Sequence, residues 1–222
     1  MLLTNVASWY WDSEEPSDEW ELIFDAPMYS NTIDSVNNVS GSLTNSTYCM
    51  TSYLGSIDTT NHYLRKDTTG GTLGKCVVYY DMSGKPFVSK IQNASKFKIE
   101  YDIYPQYISS TGTNQYIFPI SFGRSSSSSD FSGWTGLISL SMYSRNSSNG
   151  NYIPSYNAWY HITCIYDNDN STVTYTNGTN TTTASFTGIT SSHFNYISLF
   201  SKRLAGPNNF QGYFKNLKIY VQ

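Results

Sequence analysis

Apolar and polar residues alternate between turn signals, and this pattern constrains the fold more than any other feature of the chain. The clearest unit covers residues 159–186, where the turn segments 168–170 and 177–178 separate three alternating runs. A period of two is typical of strands buried on one face, and Asn-Gly between two such runs is the strongest short-range hairpin signal. The unit therefore predicts a three-stranded antiparallel meander.

Residues 97–104 show the alternation in its cleanest form. One face carries Phe97, Ile99, Tyr101 and Ile103, and the other carries Lys98, Glu100, Asp102 and Tyr104. We expect a half-exposed strand that ends at Pro105. Further strands are expected at 20–25, 75–81, 115–122, 135–143, 195–200 and 212–220, the last with Tyr213 and Lys215 on one side and Phe214 and Asn216 on the other. Residues 30–72 suggest brief strands in a loop-rich region.

Composition supports strands over helices. The chain has 34 Ser, 23 Thr and 20 Asn among 222 residues, and 16% of its residues are aromatic. Ser and Asn compete with the helical backbone for hydrogen bonds, whereas Thr and Tyr suit a pleated surface. We therefore expect an all-β protein without a helix of ordinary length. Because β-sandwiches of this size are often single domains, we expect one domain over residues 1–222, with an irregular arm at about 1–19.

The charge pattern excludes several classes of function. The net charge is −3, and the 13 Lys and Arg residues form no basic run, so nucleic acid is not an expected partner. No window approaches the roughly 18 apolar residues of a membrane span, so membrane insertion is not expected. The N-terminus has neither a basic nor an apolar signal-peptide region, so we expect no signal peptide in this chain.

The three cysteines, Cys49, Cys76 and Cys164, have no metal-binding spacing. Either all three are reduced, or Cys49 pairs with Cys76 while Cys164 stays free. Alternation places Cys164 on the same face as Tyr160, Ile162 and Tyr166, which predicts an inert buried thiol.

Several motifs of the second half occur in a recognisable order. They are Trp-Tyr-His-Ile-Thr at 159–163, Tyr-Asp at 166–167, Val-x-Tyr-x-Asn-Gly at 173–178 and Phe-Gln-Gly-x-Phe-x-Asn-Leu-x-Ile-Tyr at 210–220. Over roughly residues 75–222 the chain resembles the laminin-G-like, concanavalin A-like lectin/glucanase superfamily. The resemblance implies a jelly-roll sandwich of two antiparallel sheets, with ligands on a concave face or at the loop edge. It implies no single function, because the fold hosts lectins, adhesins, glycosidases and lyases.

The resemblance also suggests weak catalytic candidates. Glu100 and Asp102 match the start of the Glu-x-Asp-x-x-Glu motif of retaining glycosidases in this superfamily, but Pro105 occupies the place of the second Glu. Without a second carboxylate the double displacement lacks its acid. We therefore interpret Glu100 and Asp102 as solvent-facing strand residues, with Lys98 pairing with one of them. The resemblance gives His161 a structural role.

Asp167 and Asp169 are weak candidates for a calcium site, since some members of the superfamily bind Ca²⁺ near sheet-edge loops. The competing interpretation, which we favour, is a turn in which Asx side chains bond their own backbone. We expect no cofactor, with calcium as the alternative.

A sugar site needs a flat aromatic side chain and polar groups that bond hydroxyls. The loop residues that meet this description, and that strand packing does not explain, are Trp134, Tyr152, Tyr156, Tyr107, Arg124, Asp130 and Asn157.

These observations predict a non-catalytic recognition module for glycans or another cell-surface component, of the adhesin or viral tail-fibre type. The alternatives are a glycan-cleaving hydrolase or lyase on the same fold and a structural virion or surface protein. We expect an extracellular, cell-surface or virion location, with a homo-oligomer or a larger surface assembly as a possible context.

Overall fold

The structure, a computed structural model, describes residues 19–43, 55–66, 76–108, 116–123, 137–143, 156–178, 180–185, 194–200 and 210–222. The predicted N-terminal arm lies outside them except for Glu19. The strands and the helix within these ranges are β1 (Glu21–Ala26), β2 (Ile33–Asp34), β3 (Val39–Ser40), β4 (Ser56–Asp58), β5 (Tyr63–Lys66), β6 (Val78–Asp81), α1 (Pro86–Asn93), β7 (Lys96–Ile108), β8 (Tyr116–Gly123), β9 (Leu137–Tyr143), β10 (Tyr160–Asp167), β11 (Thr172–Thr176), β12 (Thr181–Ser185), β13 (Tyr196–Leu199) and β14 (Phe210–Val221).

Two antiparallel sheets form the sandwich, as predicted, and β2 pairs with β3 in a separate two-stranded sheet. The large sheet has the order β12-β11-β10-β7-β14-β5-β4, and β1 pairs with the second half of β14. The small sheet has the order β6-β13-β8-β9. The predicted meander is confirmed, since β10, β11 and β12 pair in succession through the two expected turns.

The core lies between the inner faces of the two sheets. Phe97 of the large sheet contacts Phe194 with ring centroids 5.6 Å apart, and Phe194 contacts Phe122 of the small sheet at 5.4 Å. Phe24 of β1 and Tyr80 of β6 meet edge to face at 5.2 Å. Edge-to-face pairs of buried rings add stabilisation to the area that they bury. The sheets thus form a sandwich held by aromatic contacts.

The alternation predicted for the long strands is confirmed. Phe97, Ile99, Tyr101 and Ile103 are fully buried, and their neighbours Lys98, Glu100, Asp102 and Tyr104 are partly exposed. Ile162, Cys164 and Tyr166 are buried in β10 as expected. Burial raises the pKa of the Cys164 thiol above its usual range, which keeps the thiol protonated and inert. Cys76 is buried, and Cys49 lies outside the described residues.

A short helix, α1, was not anticipated by the strand pattern. Pro86 stands in its first turn, where the missing N–H is not needed. Phe87 and Ile91, one helical turn apart, are both buried, and Phe87 packs against Phe24 at 5.9 Å. Eight residues make a helix shorter than the average, so the expectation of no ordinary-length helix still holds for the residues described. No helix in these ranges is long and apolar enough to span a membrane.

The prediction that the strand of residues 97–104 ends at Pro105 is wrong, because β7 continues to Ile108. Pro105 lies opposite Gly212, at a register shift between Gln211 and Gly212 of β14. A bulge of this kind interrupts the regular hydrogen-bond ladder. The strand can therefore continue through Pro105, which has no N–H to donate. The Pro105 carbonyl remains available and accepts a hydrogen bond from the Asn157 N–H at 2.8 Å.

Candidate functional site

Four aromatic side chains gather on the outer face of the large sheet, the face turned away from the core. Tyr104 of β7 pairs directly with Tyr213 of β14. Trp159 immediately precedes Tyr160, which pairs with Ile103, so Trp159 lies beside Tyr104. Tyr63 joins them from β5, whose Leu64 pairs with Phe214. Strand register therefore assembles Tyr63, Tyr104, Trp159 and Tyr213, here called the aromatic cluster, from four strands or strand ends.

Three rings of the aromatic cluster stand in a row. The Tyr63 and Tyr213 centroids are 4.2 Å apart with planes 19° from parallel, and those of Tyr213 and Tyr104 are 5.2 Å apart at 25°. Stacked rings cover each other's faces, so their edges and hydroxyl groups are the parts that solvent reaches. The Trp159 ring is tilted and lies 5.5 to 6.4 Å from all three. Its side chain is 40% exposed, which makes it the most accessible flat surface of the cluster.

Polar groups border the cluster. The Lys215 amine lies 4.5 Å from the centroid of the Trp159 ring, a cation–π distance. None of the ion pairs between described residues involves Lys215. Partial burial and the adjacent, hydrogen-bonded Tyr213 hydroxyl raise the pKa of Tyr63 above its usual value. Tyr63 is thus a neutral phenol at ordinary pH, able to donate as well as accept a hydrogen bond.

Asp102 ties three strands together next to the cluster. Its Oδ1 lies 2.7 Å from the Nδ1 of His161 on β10, and its Oδ2 accepts a 2.6 Å hydrogen bond from the Asn216 Nδ2 on β14. This cross-strand contact gives His161 a hydrogen-bond partner, as a structural histidine would have, although its side chain is 57% exposed. The free edge of the His161 ring is therefore accessible beside Trp159.

The prediction that Asn216 shares a face with Phe214 is wrong. Phe214 is buried, but Asn216 reaches Asp102 on the outer face. The pairing with β7 shifts register between Lys215 and Lys218, and Asn216 has a left-handed backbone with φ 57°. Asn tolerates this conformation better than most residues. The extra bulge residue rotates one side chain out of the regular alternation.

Glu100 and Asp102, the weak catalytic candidates, both lie on the outer face as interpreted from the sequence. Glu100 forms an ion pair with Lys98, with 3.0 Å between Oε1 and Nζ, as the alternation suggested. The two residues are two positions apart on one strand, so their Cα atoms are separated by about 7 Å. Each carboxylate is engaged by a basic or amide side chain, an arrangement that suits a structural role.

Two of the predicted ligand residues lie near the aromatic cluster. The bond from Asn157 to Pro105 anchors Asn157 and Tyr156 at the end of β7 that holds Tyr104. Tyr156 is 39% exposed, and Asn157 has a positive φ of 60°. Tyr107 was expected in a loop, but it belongs to β7, because this strand continues past Pro105; its side chain is not described. Four further candidates, namely Trp134, Tyr152, Arg124 and Asp130, lie outside the described residues.

The turn that follows β10 uses the predicted Asx chemistry. Asp167 accepts hydrogen bonds from the backbone N–H and the side-chain amide of Asn170, both at 2.9 Å. These donors lower the pKa of Asp167. Asp169 is exposed. Across the ranges that the structure covers, no three His, Cys, Asp or Glu side chains form a group able to hold a metal ion.

The members of the aromatic cluster were not singled out as site residues from the sequence. The signal was nevertheless present, because alternation places Tyr104, Trp159 and Tyr213 opposite the buried positions of their strands. Tyr63 lies in a short strand of the loop-rich region, where the pattern is weak. Sequence alternation gives the face of each residue, whereas only the pairing register shows that the four meet.

Comparison with solved structures gives matches to the fold at low identity. Domain 4 of AbnA, an arabinanase from Geobacillus stearothermophilus solved with arabinotriose, has a TM-score of 0.55 and 12% identity, covering 92% of this chain and 94% of that one. The binding domain of botulinum neurotoxin DC in complex with SialylT has a TM-score of 0.55 and 13% identity over 90% of this chain and 48% of its own. Trypanosoma rangeli sialidase has a TM-score of 0.52 and 10% identity over 90% and 30%. The chain thus spans about half of the toxin domain and less of the sialidase.

A search of curated proteins found no match. The family model described as the concanavalin A-like lectin/glucanases superfamily matches residues 99–222, which is more than half of the chain and includes most of β7 and all of β10 and β14. The matched range contains strands of both sheets and three of the four members of the aromatic cluster, Tyr104, Trp159 and Tyr213. The chain therefore belongs to the concanavalin A-like lectin/glucanase superfamily.

Proposed function

We propose that this chain is a non-catalytic recognition module that binds a glycan through the aromatic cluster on the outer face of its large sheet. The observation that carries the proposal is the exposed Trp159 ring among three tyrosines. Packing within the sandwich does not account for these rings, because they lie on the face opposite the core. Exposed aromatic groups that lie together mark recognition surfaces more often than single exposed apolar residues do.

The chemistry around Trp159 suits a sugar. A sugar ring presents an apolar C–H face, which can pack on a flat aromatic side chain, and a rim of hydroxyl groups that need hydrogen-bond partners. The Lys215 amine, the accessible edge of His161 and the tyrosine hydroxyls supply donors and acceptors at the border of the cluster. Tyr and Trp also lose little side-chain entropy on binding.

The structural comparisons support a carbohydrate partner by analogy of fold. Domain 4 of AbnA was solved with arabinotriose, and the neurotoxin domain with SialylT. Because one fold can host unrelated functions, the argument for this chain rests on its own residues. We further propose an adhesin or a viral receptor-binding or tail-fibre context, outside the cell or on a virion, in which the module acts as a homo-oligomer or within a larger surface assembly.

A glycan array that includes arabino-, xylo- and cello-oligosaccharides and sialylated glycans tests the proposal. We expect binding by the wild-type chain and a loss of at least about tenfold in affinity for Trp159→Ala, as for a central aromatic contact. Tyr196→Ala is the control, because Tyr196 is a half-buried aromatic residue that stacks on Tyr79 in the small sheet and does not belong to the aromatic cluster. Circular dichroism and thermal melting confirm that each variant is folded.

Two outcomes would overturn the proposal. Shortening of an oligosaccharide during incubation would favour a glycan-cleaving enzyme. Absence of binding to every glycan, together with self-assembly in a size measurement, would favour a structural surface or virion protein.

A further inference from the structure

A second group of aromatic side chains lies at the other end of the same outer face. The Lys98 amine is 4.1 Å from the centroid of the Tyr220 ring and 5.2 Å from that of Trp20. Glu100 pairs with Lys98 and bonds the Tyr220 hydroxyl. Trp20 precedes β1, whose Leu22 pairs with Tyr220, so the strand pairing places Trp20 at this end of the face. Trp20, Lys98 and Tyr220 are called the Trp20 cluster below.

The two clusters mark the ends of a strip along β7 and β14. Tyr104 contacts the Trp159 ring and Lys98 contacts the Trp20 ring, and both residues project from the same face of β7. Lys98 and Tyr104 are six positions apart on the strand, a distance of about 20 Å. The strip between the clusters presents partly or fully exposed polar side chains, namely Glu100, Asp102, His161 and Lys218.

This layout bears on the shape of the ligand. A single terminal sugar can occupy only one of two aromatic clusters that are about 20 Å apart. A linear chain of several sugars can contact both clusters and place its hydroxyl groups over the polar strip. Linking two contacts in one ligand makes the second contact intramolecular and so raises affinity.

We infer that the ligand is an extended linear glycan that lies along β7 and β14 and contacts both the aromatic cluster and the Trp20 cluster. This inference rests on the proposed function and names the ligand class for the same face. It assigns Trp20 a binding role at the far end of the strip. The aromatic cluster then holds one part of the chain, and the Trp20 cluster holds a part several sugars away.

The test uses calorimetric titration with linear arabino-, xylo- and cello-oligosaccharides, each from the disaccharide to the hexasaccharide. We expect affinity to rise at least about tenfold from the disaccharide to the hexasaccharide of the series that binds. Trp20→Leu keeps apolar volume at the sheet edge but removes the flat ring. It should lower the affinity for the hexasaccharide by about tenfold and leave the disaccharide affinity unchanged. Trp159→Leu should weaken both.

The controls separate this inference from the proposed function. Unchanged disaccharide binding shows that Trp20→Leu is folded, and Tyr196→Leu should bind both ligands like the wild type. If the disaccharide and the hexasaccharide bind equally, or if Trp20→Leu binds the hexasaccharide normally, the extended ligand is wrong while glycan recognition stands. If the wild type binds no member of any series but binds another glycan on the array, the extended linear ligand is wrong while the proposed function stands; if it binds no glycan at all, both fail.

Discussion

Asn216 donates a 2.6 Å hydrogen bond to the same carboxylate of Asp102 that holds His161 at 2.7 Å. The bond joins residues 114 positions apart in sequence, and it exists because a bulge in β14 turns Asn216 to the outer face. One carboxylate thus links β10, β7 and β14 beside the aromatic cluster. The Asp102 side chain is only 20% exposed, so water cannot easily replace both Asn216 and His161 as its hydrogen-bond partners.

Asp102→Ala should therefore destabilise the fold. The substitution leaves the Asn216 amide and the His161 ring without their acceptor, which we expect to cost about 1–3 kcal/mol. Urea denaturation measures the change. Asp169→Ala, in an exposed turn, is the matched control and should stay within about 0.5 kcal/mol of the wild type. Equal stability of the two variants would contradict the role of Asp102.

Tyr213→Ala should weaken glycan binding, because it removes the middle ring of the row and leaves Tyr63 and Tyr104 unsupported. Tyr213→Phe keeps the ring and should retain most of the affinity, with a loss of a few-fold for the hydroxyl group. Calorimetric titration with the glycan that binds the wild type measures both. A Phe variant as weak as the Ala variant would show that the hydroxyl, not the stacked ring, carries the effect.

Stability should fall at alkaline pH. Burial raises the pKa of Tyr80, Tyr101 and Tyr166 well above the usual value, and burial together with the Glu100 charge raises that of Tyr220 to about 12. Since these phenols ionise more easily when unfolded, their contribution is complete below about pH 10 and is lost as the pH rises toward the folded pKa.

Guanidinium denaturation between neutral pH and about pH 11 should show this decline. Tyr220→Phe should reduce its slope, because one of the shifted phenols is then missing. A free energy of unfolding that stays constant over the whole range would contradict the shifts.

Cys164 should resist alkylation in the folded protein. Its thiol is fully buried and its pKa is raised, so neither access nor thiolate is available. Iodoacetamide labelling followed by peptide mass spectrometry should find Cys164 modified only after urea is added. Labelling of the folded protein at the rate of the unfolded chain would show that this strand opens readily.

Removal of calcium should leave the turn after β10 unchanged. Both oxygens of Asp167 already accept hydrogen bonds from Asn170, so the turn holds its shape without an ion. We expect the same melting temperature in EDTA and in millimolar calcium, whereas Asn170→Ala should lower it. A rise in melting temperature with calcium that Asp167→Asn abolishes would instead establish a calcium site.

Much of the fold could be predicted because strand alternation is local. The buried face of residues 97–103, the hairpin at Asn177–Gly178 and the inward Cys164 all follow from neighbouring residues in sequence. The errors occur where tertiary pairing overrides the local pattern. Pro105 does not end its strand because a bulge lies opposite it, and Asn216 changes face because its own strand bulges.

The candidate site shows the same division. Alternation alone places Tyr104, Trp159, Tyr213 and Lys215 away from the core, since a period of two assigns a face to each strand residue outside a bulge. Apart from strands joined by a short turn, such as β10 and β11, it carries no information about which strands are neighbours. The pairing of β5, β7, β10 and β14 brings Tyr63 to these residues, and the pairing of β1 with β14 places Trp20 against Lys98, about 20 Å along the same face. The physical reason is that a face is set by covalent geometry within one strand, whereas a site depends on hydrogen-bond register between strands far apart in the chain.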